Sequence, residues 1–135
     1  MEEESIKASR AYLSRAEEAM RAASSLLDEN FYRDSISRSY YAMFYAATAA
    51  LLIIGQEASS HAALVAQFSE HLVNTGYIPK EFGRTLNRAM NIRMNADYDV
   101  SAKITKDLAL KGLKDARRFV DAVRKFMQSK GVEVR

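Results

Sequence analysis

The chain has 135 residues and a net charge of +3, with 48% of its residues hydrophobic and 27% charged. This composition excludes disordered and collagen-like chains, and the length suits a single domain over residues 1–135. The lack of cysteine excludes disulfide scaffolds, cysteine-ligated zinc and a cysteine nucleophile. Only 5 Gly and 1 Pro interrupt the chain, which favours long helices.

Two long helices are predicted for the first half of the chain. The first covers about residues 3–27 and ends where the polar residues 28–30 break its apolar spacing. The second covers about residues 32–54, and Gly55 fits its C-terminal cap. The second helix is apolar on nearly every side. We therefore expect it to be the central helix, covered by several neighbours or by a partner subunit.

Three further helical segments are predicted in the second half. Ser59 or Ser60 caps the third helix, which ends near Gly76, and Pro79 stands where a fourth can start. Residues 95–104 lack a clear period and are expected to form a loop or a broken helix. Thr105 caps the last helix. Because no alternating strand pattern occurs, the sequence predicts an all-α, up-and-down bundle of four to five helices.

The sequence predicts a cytoplasmic protein that does not span a membrane. It begins with Met1 and three glutamates, unlike a secretory signal, and its longest strongly apolar run covers only residues 46–54. Basic residues concentrate near the C-terminus, where a solvated helix face is a plainer interpretation than a phosphate-binding stripe. The residues concerned are Lys111, Lys114, Arg117, Arg118, Arg124, Lys125 and Lys130.

A candidate anion site lies where the fourth helix loses its periodicity. Arg93, Asp97 and Tyr98 fall together there. A guanidinium can hold a phosphate through two parallel hydrogen bonds, and a phenol can orient a phosphate, stack on a base or act as a weak acid. The plainer interpretation is an Arg93–Asp97 ion pair beside a Tyr98 packed at the rim, and both interpretations remain open on chemistry alone.

The second helix carries a second set of candidate residues, Tyr40 and Tyr41. A tyrosine-rich face on a central helix is typical of a core or a dimer interface, because tyrosine combines a large apolar area with a polar tip. The same residues are also candidates for ligand binding.

The two histidines, His61 and His71, are ten residues apart, and no carboxylate accompanies them with metal-ligand spacing. We therefore predict neither a metal site nor a cofactor. His61 stands at a helix start, from which an imidazole can reach a neighbouring loop.

Taken together, these stretches resemble the HEPN superfamily, and most closely its small stand-alone prokaryotic proteins. The resemblance rests on the run from Arg38 through Tyr40-Tyr41-Ala42-Met43-Phe44 to Ala47, on residues 51–55, on His61 followed by Phe68, and on residues 93–98. It covers roughly residues 5–127.

The resemblance implies a homodimer of helical bundles. In the family, the dimer brings two copies of an arginine–histidine motif together in a cleft. Members that carry this motif are metal-independent endoribonucleases, and many are toxins encoded beside a minimal nucleotidyltransferase antitoxin. Others are linked to nucleotide binding.

Arg93 matches the family arginine, but Tyr98 stands where the motif histidine would be expected, and no histidine follows as far as Ile104. A phenol with its ordinary pKa near 10 is a poor base at neutral pH. His61 is the alternative imidazole, provided that the start of the third helix lies near Arg93.

Three functions remain open from the sequence. The leading hypothesis is a dimeric HEPN-type module that binds a nucleotide or RNA phosphate through Arg93 and pairs with a nucleotidyltransferase. Asp97, Tyr98, Tyr40 and Tyr41 would surround the ligand. The second is a metal-independent endoribonuclease toxin acting through Arg93 with Tyr98 or His61. The third is a structural or adaptor bundle, in which Arg93 is a local ion-pair residue.

Overall fold

A computed structural model describes residues 1–134, which form five α-helices and one π-helical turn with no strand. The helices are α1 (Glu3–Asp28), α2 (Tyr32–Ile53), α3 (His61–Phe68), α4 (Lys80–Tyr98) and α5 (Lys106–Ser129). A π-helical turn, Ser69–Val73, continues α3. The prediction of an all-α helical bundle is confirmed.

The central helix is α2, which packs against each of the other four helices. Its small residues Ala42, Ala46, Ala47, Ala49 and Ala50 are all fully buried. Because an alanine adds so little beyond the helix backbone, neighbouring helices can approach α2 closely on several sides. This explains why a helix that is apolar nearly all round is the one at the centre.

Two turns set the path into and out of α2. After α1, Asn30 adopts a left-handed conformation with φ of 68°, and the Phe31 N–H donates to the Leu26 carbonyl at 2.8 Å. After α2, Gly55 has φ of 77°, a conformation that glycine adopts without steric cost. The predicted cap at Gly55 is therefore found at the end of α2.

The side-chain caps predicted for the third and last helices are also present. Ser60 accepts a hydrogen bond from the Ala63 N–H at 3.0 Å, and Thr105 accepts one from the Leu108 N–H at 3.1 Å. Ser60, and not Ser59, is therefore the cap that places His61 at the first position of α3.

The prediction of irregular structure from residue 95 onward was wrong for its first four residues, because α4 continues to Tyr98. Long-range contacts explain the difference. Ala96 is buried, and the Arg33 guanidinium donates to the carbonyls of Ala96 and Asp99 at 2.6 and 3.3 Å. It also donates to the Val100 and Ala102 carbonyls. These bonds satisfy carbonyls that a helix C-terminus leaves free.

No helix within residues 1–134 combines the length and the apolar character needed to cross a membrane.

Candidate functional site

Arg93, on α4, lies over the tyrosines of α2. The guanidinium carbon is 5.2 Å from the centre of the Tyr40 ring and 5.4 Å from that of Tyr41, which is cation–π geometry. Nη1 donates to the Tyr41 hydroxyl at 3.0 Å and lies 3.5 Å from a carboxylate oxygen of Asp97. The arginine side chain is only 13% exposed.

His61 completes this group from the start of α3. Its Nδ1 and the Tyr40 hydroxyl are 2.6 Å apart, in a hydrogen bond whose direction depends on the imidazole tautomer. The imidazole stacks on Phe44 with ring centres 4.5 Å apart. His61 and Arg93 therefore contact the same tyrosine from different helices. We call Tyr40, Tyr41, Phe44, His61, Arg93 and Asp97 the Arg93 cluster.

Burial and charge set the protonation states in the cluster. Burial raises the pKa of Tyr40 to about 12, although the positive charge of Arg93 opposes this rise. Burial also lowers the pKa of His61, and the charge of Arg93 lowers it further. At neutral pH, the cluster thus holds a protonated phenol and a neutral imidazole.

The cationic charge of Arg93 is itself stabilised. Burial acts to lower the pKa of Arg93, but the hydrogen bond to Tyr41 and the electrostatic influence of Tyr41, Asp97 and Tyr40 leave it raised overall. Within residues 1–134, the buried Nε of Arg93 has no hydrogen-bond partner. An arginine side chain carries five N–H donors, so Arg93 keeps donors for an incoming anion beyond those used at Nη1.

Of the candidate residues, Tyr40, Tyr41, His61, Arg93 and Asp97 lie together. Tyr98 does not join them. It is 77% exposed, because five residues along an α-helix turn a side chain about 140° away from Arg93. His71 lies elsewhere, with its Nε2 3.7 Å from a Glu70 carboxylate oxygen.

Sequence reasoning missed two members of this region, Phe44 and Arg38. Phe44 is only partly buried, and its ring stacks on the imidazole of His61. The Arg38 guanidinium lies 4.9 Å from the centre of the Tyr41 ring. Their spacings from Tyr40 and Tyr41, four and three residues on one helix, are the signal that could have identified both.

A model of the HEPN domain matches residues 9–126, a range that includes the entire Arg93 cluster. The chain belongs to the HEPN domain family.

Several relatives match most of this chain. A protein of Methanocaldococcus jannaschii with the name "Putative toxin" is 36% identical over 113 residues, which are 84% of each chain. A UPF0332 protein of Gloeobacter violaceus is 42% identical over 86 residues, or 64% of this chain and 68% of the relative. A crystal structure of a Thermus thermophilus protein shares the fold with a TM-score of 0.74 and 19% identity, covering 87% of this chain and 97% of that one.

No group of three or more His, Cys, Asp or Glu side chains within residues 1–134 could hold a metal ion.

We expect the pKa of His61 to lie below 6.5 and to rise when Arg93 is replaced by Gln, because that substitution removes the nearby cation but keeps an amide donor. An NMR pH titration of the His61 ring protons measures both values. Arg88→Gln is the matched control, since Arg88 lies on the same helix and pairs with Asp115 outside the cluster.

The same shift has a consequence for stability. As the pH falls, the unfolded chain binds a proton at His61 at a higher pH than the folded chain does. The contribution of His61 to stability is therefore complete above about pH 6.5 and is lost as the pH falls through the folded-state pKa.

In the NMR titration, a wild-type His61 pKa at or above about 6.5, or an equal change in pKa in Arg93→Gln and Arg88→Gln, would contradict the assigned geometry.

Proposed function

We propose that this HEPN chain binds the phosphate of a nucleotide or of RNA at the Arg93 cluster. The observation that carries the proposal is the state of the Arg93 guanidinium. It is largely buried, it does not use all of its N–H donors, and its carboxylate contact is with Asp97. Burying a charge is costly unless it is paired and hydrogen-bonded. A bound phosphate would add a second anionic partner to the guanidinium beside Asp97.

The aromatic surroundings favour a nucleotide over a bare phosphate ion. Tyr41 lies at the partly exposed surface of α2, and its ring centre is 6.0 Å from that of Tyr45. The Arg38 and Arg15 guanidiniums lie over these two rings, at 4.9 and 5.0 Å from their centres. Tyrosine rings and guanidinium planes are the surfaces on which unpaired bases stack.

We further propose that the chain forms one domain and works as a homodimer in the cytoplasm, paired with a nucleotidyltransferase-type protein in a toxin–antitoxin-like system. The partly exposed aromatic surface of Tyr12 and Tyr45, with rings 6.3 Å apart, suits a subunit interface. The toxin names of the Methanocaldococcus relatives support the toxin–antitoxin part of this proposal.

Isothermal titration of the purified chain with adenosine and uridine monophosphates tests the ligand. We expect binding by the wild type and a loss of at least about tenfold in affinity for Arg93→Ala, because a hydrogen bond to a charged group contributes about 1.5–3 kcal/mol. Arg88→Ala, which removes an exposed arginine from the same helix, should bind like the wild type.

No heat from the wild type, or equal heat from Arg93→Ala, would contradict the proposal and favour an adaptor. In an adaptor, Arg93→Ala would only lower the free energy of unfolding, by about 1.5–3 kcal/mol for the lost charged hydrogen bond of a largely buried side chain.

A second candidate function, metal-independent RNA cleavage, is favoured by the contact that both His61 and Arg93 make with Tyr40. A neutral imidazole could take the proton of a 2′-hydroxyl, whose oxygen bonds to phosphorus as the bond to the 5′-oxygen breaks and that oxygen is protonated. Arg93 could stabilise the negative charge that develops on the phosphoryl oxygens. Tyr98 remains a candidate acid only if a bound strand reaches its exposed side chain.

Incubation with total RNA in EDTA separates binding from cleavage. A ribonuclease acting through His61 predicts cleavage by the wild type and by Tyr98→Phe, and none by Arg93→Ala or His61→Ala. Cleavage lost only in Arg93→Ala and Tyr98→Phe would instead assign the acid to Tyr98. An inactive wild type would contradict the ribonuclease hypothesis.

A further inference from the structure

The buried hydroxyl of Tyr40 has a single hydrogen-bond partner. Tyr40 is only 1% exposed, so bulk water does not reach this hydroxyl. Within residues 1–134, the one polar atom that bonds to it is Nδ1 of His61, at 2.6 Å. A buried O–H donor without an acceptor is unfavourable, and nearly all buried polar groups in proteins are hydrogen-bonded. The proton of the phenol therefore has to lie in the bond to His61.

This constraint gives the hydrogen bond its direction. The phenol can donate only to a ring nitrogen that carries no proton, so Nδ1 is the acceptor and Nε2 carries the proton of the neutral imidazole. In the opposite tautomer, Nδ1–H would donate to the Tyr40 oxygen, and the Tyr40 proton would have no acceptor. The protonation states described above agree with this direction, because they leave the phenol its proton and the imidazole one free lone pair.

The second ring nitrogen of His61, Nε2, is open to a ligand. Within the described residues it has no hydrogen-bond partner, yet it is not a buried atom. The imidazole lies beside the same two rings as the Arg93 guanidinium, with its centre 5.7 Å from that of Tyr40 and 6.0 Å from that of Tyr41. An anion held by Arg93 would therefore lie close to the imidazole.

We propose that Tyr40 is a positioning residue that holds neutral His61 in the Nε2–H tautomer, so that His61 donates a hydrogen bond to the ligand of Arg93. The inference rests on the proposed function for its ligand and adds a requirement to it. The group that meets His61 must be a hydrogen-bond acceptor, such as a phosphate or carbonyl oxygen. An ammonium group, which only donates, finds no partner there.

The two candidate functions need different tautomers of His61. A base that takes the proton of a 2′-hydroxyl through Nε2 needs a lone pair on that nitrogen, and hence a proton on Nδ1. In such sites Nδ1–H commonly donates to a carbonyl or a carboxylate. In this chain a phenol that itself has to donate stands at Nδ1. The contact therefore favours a His61 that binds the ligand over a His61 that removes a proton.

A long-range nitrogen–proton NMR spectrum of the histidine rings tests the tautomer without any ligand. At about pH 8, where a histidine with its ordinary pKa near 6.5 is neutral, we expect a proton on Nε2 of wild-type His61 and none on Nδ1. Tyr40→Phe removes the hydroxyl but keeps the ring beside Arg93, and it should convert His61 to a mixture of both tautomers. His71, which lies outside the cluster, is the internal control and should not change.

Two results of this experiment would overturn the inference. A proton on Nδ1 in the wild type would reverse the direction of the hydrogen bond. An Nε2–H tautomer that is equally pure in Tyr40→Phe would show that Tyr40 does not fix it.

Calorimetric titration with uridine monophosphate tests the donor role. Glutamine places an amide N–H near the position of Nε2 but cannot act as a base. We therefore expect His61→Gln to bind within about threefold of the wild type and His61→Ala to bind roughly tenfold more weakly. Equal losses of affinity in the two variants would overturn the donor role.

The inference and the proposed function fail in different ways. If uridine monophosphate binds the wild type and requires Arg93, while His61→Ala binds like the wild type, the donor role alone is wrong. If the wild type binds no uridine monophosphate, the proposed function and the donor role are both wrong, and the nitrogen signals still decide whether Tyr40 fixes the tautomer.

Discussion

The near-complete burial of α2 is the constraint on which the rest of the molecule depends. Its five fully buried alanines let neighbouring helices approach closely, so that most of the helix surface is covered by the chain itself. One stripe is left partly exposed, and it carries Arg38, Tyr41, Phe44 and Tyr45. These residues recur at steps of three and four, so they share one helix face. The packing that buries most of α2 therefore also determines which of its side chains remain exposed to solvent.

Two other helices reach that stripe: α3 brings an imidazole, and α4 brings a guanidinium and the carboxylate of Asp97. α3 begins at His61, because Ser60 caps it there, and α4 presents Arg93 one turn before its buried residue Ala96. The cluster thus joins residues that are far apart in sequence, and Tyr40 is the contact that they share. Its phenol stays protonated, since burial raises the pKa to about 12. A neutral imidazole and a cationic guanidinium on one phenol form an arrangement suited to a phosphate ligand.

The sequence was sufficient for the bundle, because helix formation follows from local patterns, whereas the resemblance to the HEPN family is what suggested His61 beside Arg93. Helical periodicity and capping residues depend on neighbours within a few positions, and Ser60, Gly55 and Thr105 act as the sequence predicted. The end of α4 depends instead on Arg33, which donates to the Ala96 carbonyl from 63 residues away. No local pattern carries that contact, nor the stacking of Phe44 on His61. The role of Tyr98 stays a prediction, since its exposed ring lies on a different face of α4.

The central claim is that Arg93 donates to a nucleotide phosphate, and a two-dimensional NMR titration of the arginine side chains with uridine monophosphate tests it most directly. The account predicts that the Nε–Hε signal of Arg93 and the ring signals of His61 and Tyr41 shift together with one dissociation constant. The signals of Arg117 and Arg118 on α5 should stay in place. Shifts confined to the α5 arginines, or the absence of any shift at Arg93, would contradict the account.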